Sequence, residues 1–106
     1  MKEPPAMNVE GKEEIYRAKV NLETARIAWR ELQRFFASGG AIFVSPELDL
    51  VEVAYQISED NKAQVQAWME GGLVARVTDE QALAWYEQDA DMWAVVVSPY
   101  VLVQPA

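Results

Sequence analysis

The sequence predicts a small α+β domain: a three-stranded, mostly antiparallel sheet packed with about four helices. Three observations predict it. The closing run, residues 93–104, is apolar on both alternating faces, with Trp93, Val95 and Val97 on one and Ala94 and Val96 on the other. Such a run reads as a strand covered on both sides. Upstream, apolar residues recur at helical spacing in segments bounded by capping residues and glycine pairs. The chain has 106 residues, 51% of them hydrophobic, including four tryptophans. That suffices for one core and is too little for two.

Residues 1–20 read as a polar, partly disordered tail, and residues 21–106 as a single domain. Pro4 and Pro5 block helix in the tail and Gly11 weakens it. The charged run 12–19 has only a thin apolar face, Ile15 and Tyr16.

The spacing then predicts a helix over residues 21–37. Asn21 or Thr24 caps it, and Ala25, Ala28, Trp29, Leu32, Phe35 and Phe36 form its apolar stripe. Ser38-Gly39-Gly40 stops it, since glycine takes the left-handed cap conformation freely. On the other side Arg26, Arg30 and Arg34 recur every four residues and share a helical face.

Residues 41–44 are a short apolar strand. Ser45-Pro46-Glu47 has the order of a helix start, with a cap, a first-turn proline and an acid near the positive dipole end. The helix is expected over 46–58, with Leu50, Val53, Ala54 and Ile57 facing the core. Glu59-Asp60-Asn61 is a turn, and Asn61 with Gln64 has capping-box spacing. A short helix follows, with Val65, Trp68 and Met69 on one side and Gly71-Gly72 as its stop. Residues 73–77 alternate as a second strand. Thr78 and Gln81 mark another capping box, and that helix runs to about residue 88 with Ala82, Trp85 and Tyr86 inward. In the final strand Pro99 has no N–H to donate, so it marks a bulge, an edge or a break. The order of elements is winged-helix-like in its opening, which is an analogy of topology and not of function.

Several stretches together carry a resemblance. They are Thr-Ala-Arg-Ile-Ala-Trp-Arg-Glu-Leu-Gln-Arg-Phe-Phe at 24–36, Leu-Asp-Leu-Val-Glu-Val-Ala at 48–54, residues 68–74 with their glycines, and residues 93–104. Over residues 21–104 the chain resembles a family of small bacterial proteins known as domain of unknown function 2288. The resemblance implies a stand-alone bacterial domain and assigns no chemistry.

Composition excludes much. There is no cysteine and no histidine, so disulfides, thiolate metal sites and the commonest general base are all out of reach. A metal site would have to be oxygen-rich, suiting Mg or Ca. No apolar run has transmembrane length, and no apolar segment follows the charged N-terminus as in a secretory signal. A cytoplasmic location is the expectation. The net charge of −8 is uneven: residues 47–106 hold Lys62 and Arg76 against eleven acids, a net −9. That half repels phosphate backbones.

Three chemical readings compete with plainer ones. Glu87, Asp89 and Asp91 alternate like the first ligands of a calcium loop, but Met92 stands where the turn glycine belongs and Ser98 where the bidentate Glu belongs. A polar turn accounts for them. Asp49 and Glu52, with Glu59 and Asp60 nearby, have the types for a Mg site, yet acids near a helix start compensate its dipole. Asn61, Lys62, Gln64 and Gln66 occupy the place of a recognition helix, but with a single base among them and Glu70 beside them.

The reading that remains is a non-catalytic, self-associating interaction domain with no cofactor, no metal ligand and no catalytic residue assigned. A homo-oligomer, a dimer, is expected; a protein partner fits, whereas nucleic acid and membrane do not. The expected contacts are the arginine face, Arg26, Arg30 and Arg34, which meets acids within the chain or across an interface, and the strand Tyr100, Val101, Leu102 and Val103. Left uncovered, that strand would invite aggregation, so a partner is expected to cover it. A winged-helix DNA-binding regulator is the alternative, and a carboxylate-dependent Mg or Ca enzyme the third.

Overall fold

The computed structural model describes residues 14–16, 19 and 23–106. The prolines of the expected tail and the cap expected at Asn21 lie outside the described residues. In chain order the elements are β1 (Ala25–Ala28), a 3-10 turn (Trp29–Leu32), α1 (Gln33–Ala37), β2 (Ala41–Val44), α2 (Leu50–Ser58), α3 (Lys62–Glu70), β3 (Val74–Arg76), α4 (Asp79–Glu87), β4 (Asp91–Val97) and β5 (Tyr100–Pro105). Residues 14–16 are also helical, and Tyr16 packs against the core.

The α+β class holds, but the sheet is larger than expected and mixed. Its five strands run in the order β1-β4-β5-β2-β3. β5 is antiparallel to β4 and parallel to β2, while β1–β4 and β2–β3 are antiparallel. Two corrections account for the added strands. The run 93–104 is not one strand: Ser98 and Pro99 form a turn, and the chain doubles back as a hairpin. The helix expected over 21–37 is a strand from Ala25 to Ala28 before it becomes helical. Its first half is taken up by the free side of β4, pairing Ala25 with Ala94 and Ala28 with Asp91. Tertiary pairing thus overrides a modest local preference. From Trp29 onward the helical reading holds. The sheet is also too broad for a winged-helix arrangement, whose wing is a small hairpin.

Each strand sends alternate residues to opposite faces, and both faces are covered. On one face Trp29, Leu32, Ala41, Ala82, Met92, Ala94, Val101 and Val103 form a core under the 3-10 turn, α1 and α4. On the other Val44, Leu50, Val53, Ala54, Val74, Val95 and Leu102 form a second core under α2. The Trp29 indole N–H donates to the Ala82 carbonyl at 3.1 Å, and its ring meets the Trp85 ring edge-on at 5.1 Å. That fixes the rotation of α4. Trp85 packs inward and Tyr86, expected inward, is exposed with the Arg30 guanidinium over its ring.

Local signals decide the ends. Thr78 and Gln81 make the full reciprocal capping box. α2 starts later than expected: Ser45 Oγ accepts from the Glu47 N–H and the Ser45 carbonyl from the Leu48 N–H, so residues 45–48 close a turn. Asp49 is the true cap, accepting from the Val51 N–H at 2.9 Å. The Gln104 amide clamps this turn to β5 by donating to the carbonyls of Ser45 and Leu48. Gly39 has φ +81°, the left-handed stop expected there. A Cβ on Gly40 would stand 3.2 Å from the Pro99 carbonyl oxygen, so a side chain there would crowd the β4–β5 turn.

Leu102 is fully buried and Val96, on the neighbouring strand, is largely exposed. Leu102→Ala is therefore expected to lower unfolding stability by about 2–5 kcal/mol. Val96→Ala should change it by no more than about 0.5 kcal/mol. Urea unfolding of the two variants checks both values.

Candidate functional site

The expected contact residues separate in space. Arg26 lies on β1, Arg30 on the 3-10 turn and Arg34 on α1, so they do not form one helical face. Two are held by acids of the same chain: Arg26 Nε lies 3.2 Å from Asp91 Oδ2, and Arg30 Nε 3.5 Å from Asp89 Oδ1. Arg30 also donates to the Tyr86 carbonyl. Arg34 is exposed and lies over the Phe35 ring. Val101, Leu102 and Val103 are buried and paired on both sides, so the edge expected there does not exist; β4 and β2 cover it. Tyr100, at the start of the strand, remains exposed.

The polar candidates have local tasks. Asp49 caps α2, and Glu52 accepts from Gln56 at 2.7 Å one turn on. Asp89 and Asp91, whose alternation imitates a calcium loop, are the partners of Arg30 and Arg26. Asn61 caps α3 through the Gln64 N–H and donates to Gln56, while Gln66 donates to Glu70. Among the described residues no group of three or more Asp or Glu could hold a metal ion.

What the fold does bring together is an apolar groove. α2 presses Leu50, Val53 and Ala54 onto the sheet, and leaves Ile57 in its last turn half-buried. The turn through Asp60, at φ +58°, sends α3 back beside it. α3 seats shallowly, with no fully buried residue; Val65 and Trp68 are half-buried and Met69 is 56% exposed. Between α3 and the end of the sheet lies a hollow of about 260 Å³, floored by Ile42, Ile57, Val65, Met69, Val74 and Tyr100. It continues past Ile57, Val65 and Met69 into a second hollow of about 350 Å³ beside Asp60, Lys62 and Gln66. Arg76 borders one end and Lys62 the other. These are the only two bases after residue 46. Among the described residues neither is ion-paired. The groove was not foreseen from the sequence, because its shape depends on how shallowly α3 seats. The available signal was the weak apolar face of α3, Val65, Trp68 and Met69, on an otherwise polar helix.

The family model described as "Protein of unknown function (DUF2288)" matches residues 15–105. The chain belongs to this family. The DUF2288 match begins upstream of the resemblance read from residue 21, and so takes in Tyr16, whose ring meets that of Tyr55 at 5.5 Å. The chain is also similar to a solved structure, the NMR solution structure of PA1075 from Pseudomonas aeruginosa. The two are 44% identical with a TM-score of 0.75, over 85% of this chain and 83% of that one. No curated protein matches the chain. Among the described residues no helix is long and apolar enough to cross a membrane.

The Arg26–Asp91 pair is solvent-exposed. A double-mutant cycle with Arg26→Ala and Asp91→Ala should give a coupling below about 1 kcal/mol. The coupling should shrink as salt is raised. Thermal or urea unfolding at two salt concentrations measures it.

Proposed function

We propose that this domain is a non-catalytic, self-associating interaction module of the bacterial cytoplasm. The observation that supports it is the α2–α3 groove: an apolar floor with Met69 and Tyr100 exposed, and at either end a base without an ion pair among the described residues. Covering such a surface removes apolar area from water. The bases favour a cover that is itself acidic. A second copy meets that need, since its residues 47–106 carry a net charge of −9. Tyr100 is then the contact residue that survives from the closing strand. Arg34, exposed and without an ion pair among the described residues, is the arginine left to meet a partner's carboxylate.

Sedimentation velocity over a range of concentrations tests this reading. The chain should sediment above its 12.0 kDa monomer mass. Tyr100→Glu should raise the dissociation constant at least about tenfold, equivalent to about 1.4 kcal/mol. A 12.0 kDa species at every concentration would contradict the proposal. So would tight binding of duplex DNA that falls steeply with salt, the signature of a regulator.

A further inference from the structure

The outward face of α4 carries acids where the groove has Lys62 and Arg76 at its ends, Asp60 being the carboxylate that lines the groove beside Lys62. Its N-terminus is fixed by the Thr78–Gln81 box, and its inward face by Ala82 and Trp85 against Trp29. Helical spacing then turns Leu83 and Tyr86 outward, together with Asp79, Glu80 and Glu87. Leu83 is 59% exposed and Tyr86 44%. The result is an apolar pair with acids at both ends, the Arg30 guanidinium lying over one face of the Tyr86 ring. From Glu80 to Glu87 the helix rises about 10 Å.

Among the described residues the charges of the two surfaces are left without ion pairs in a matching way. Arg26 and Arg30 are paired with Asp91 and Asp89, yet Asp79, Glu80 and Glu87 on α4 have no ion pair among the described residues. The same holds for Lys62 and Arg76 at the groove. A paired arrangement inside one copy is not available. α4 covers the sheet face that holds Trp29, and the groove lies on the face that holds Leu102.

We infer that the α4 ridge of one copy docks in the α2–α3 groove of another, with Leu83 and Tyr86 against the Met69–Tyr100 floor and the ridge acids on Lys62 and Arg76. This rests on the self-association proposed above. The contact is heterologous: each copy gives its ridge to one neighbour and receives the ridge of another. Two copies leave one ridge and one groove free. The assembly is therefore a ring or a chain of three or more copies, in place of the dimer expected from the sequence.

Complementary variants of the full chain test the inference. Met69→Glu disables the groove and Leu83→Lys disables the ridge; both positions are exposed, so the fold should persist, as circular dichroism checks. Native mass spectrometry should show each variant alone as a 12.0 kDa monomer. Mixed, they should form a two-copy complex and nothing larger, because only one ridge and one groove remain intact. If both variants alone keep the wild-type mass, the inference fails while self-association stands on another surface. If only the groove variant dissociates, the groove is used but α4 does not fill it, and the inference again fails. A mixture that stays monomeric also overturns the inference. A monomeric wild type overturns both it and the proposed function. Should either variant misfold, a groove variant with Lys62→Glu and Arg76→Glu and a ridge variant with Glu80→Lys and Glu87→Lys replace them. Those two should each dissociate alone and associate when mixed; a mixture of them that stays monomeric overturns the inference as well.

Discussion

A strand hydrogen-bonded along both edges and buried on both faces is the constraint on which the rest of this structure depends. β5 meets β4 on one side and β2 on the other, and Val101, Leu102 and Val103 are shut off from water. Its position requires covering elements on both faces, because alternate residues point each way. One cover is the 3-10 turn with α1 and α4; the other is α2, with α3 beside it. Gln104 ties the second cover to β5 by holding the carbonyls of Ser45 and Leu48 just ahead of α2. The groove exists because α2 is drawn down fully by the sheet and α3 is not.

The charge distribution follows from the same layout. Bringing β1 beside β4 places Arg26 and Arg30 at the entry to β4, where Asp91 and Asp89 meet them. The remaining acids of α4 and the bases of the groove are carried to opposite faces of the sheet. Exposed pairs of this kind contribute little to folding. Between molecules, complementary charges set orientation and encounter rate. Among the described residues the fold leaves these charges without an ion pair.

Features that depend on neighbours in sequence are legible without the structure. The Thr78–Gln81 capping box, the strand Ala41–Val44, the end of α2 at Ser58 and the left-handed Gly39 are all local. Features that depend on distant pairing are not. Ala28, Trp29, Leu32 and Phe36 have real helical spacing, so nothing local marks where β1 ends and the helical path begins. The two halves of residues 93–104 read as one strand because Pro99 fits a bulge, an edge or a break equally. Reading them so suggests a free edge at Tyr100 to Val103, where the folded chain has its most protected strand. Of the expected contact set, Tyr100 reaches the groove; the groove itself needs the seating of α3, which no residue pattern specifies.

The most direct test of self-association through the groove and the α4 ridge is a concentration series of amide NMR spectra on the labelled chain. Shifts should grow with concentration at Val65, Met69 and Tyr100 on one surface and at Leu83 and Tyr86 on the other, with the β1 edge unchanged. Spectra that stay constant with concentration, or shifts confined to Ala25–Ala28, would contradict it.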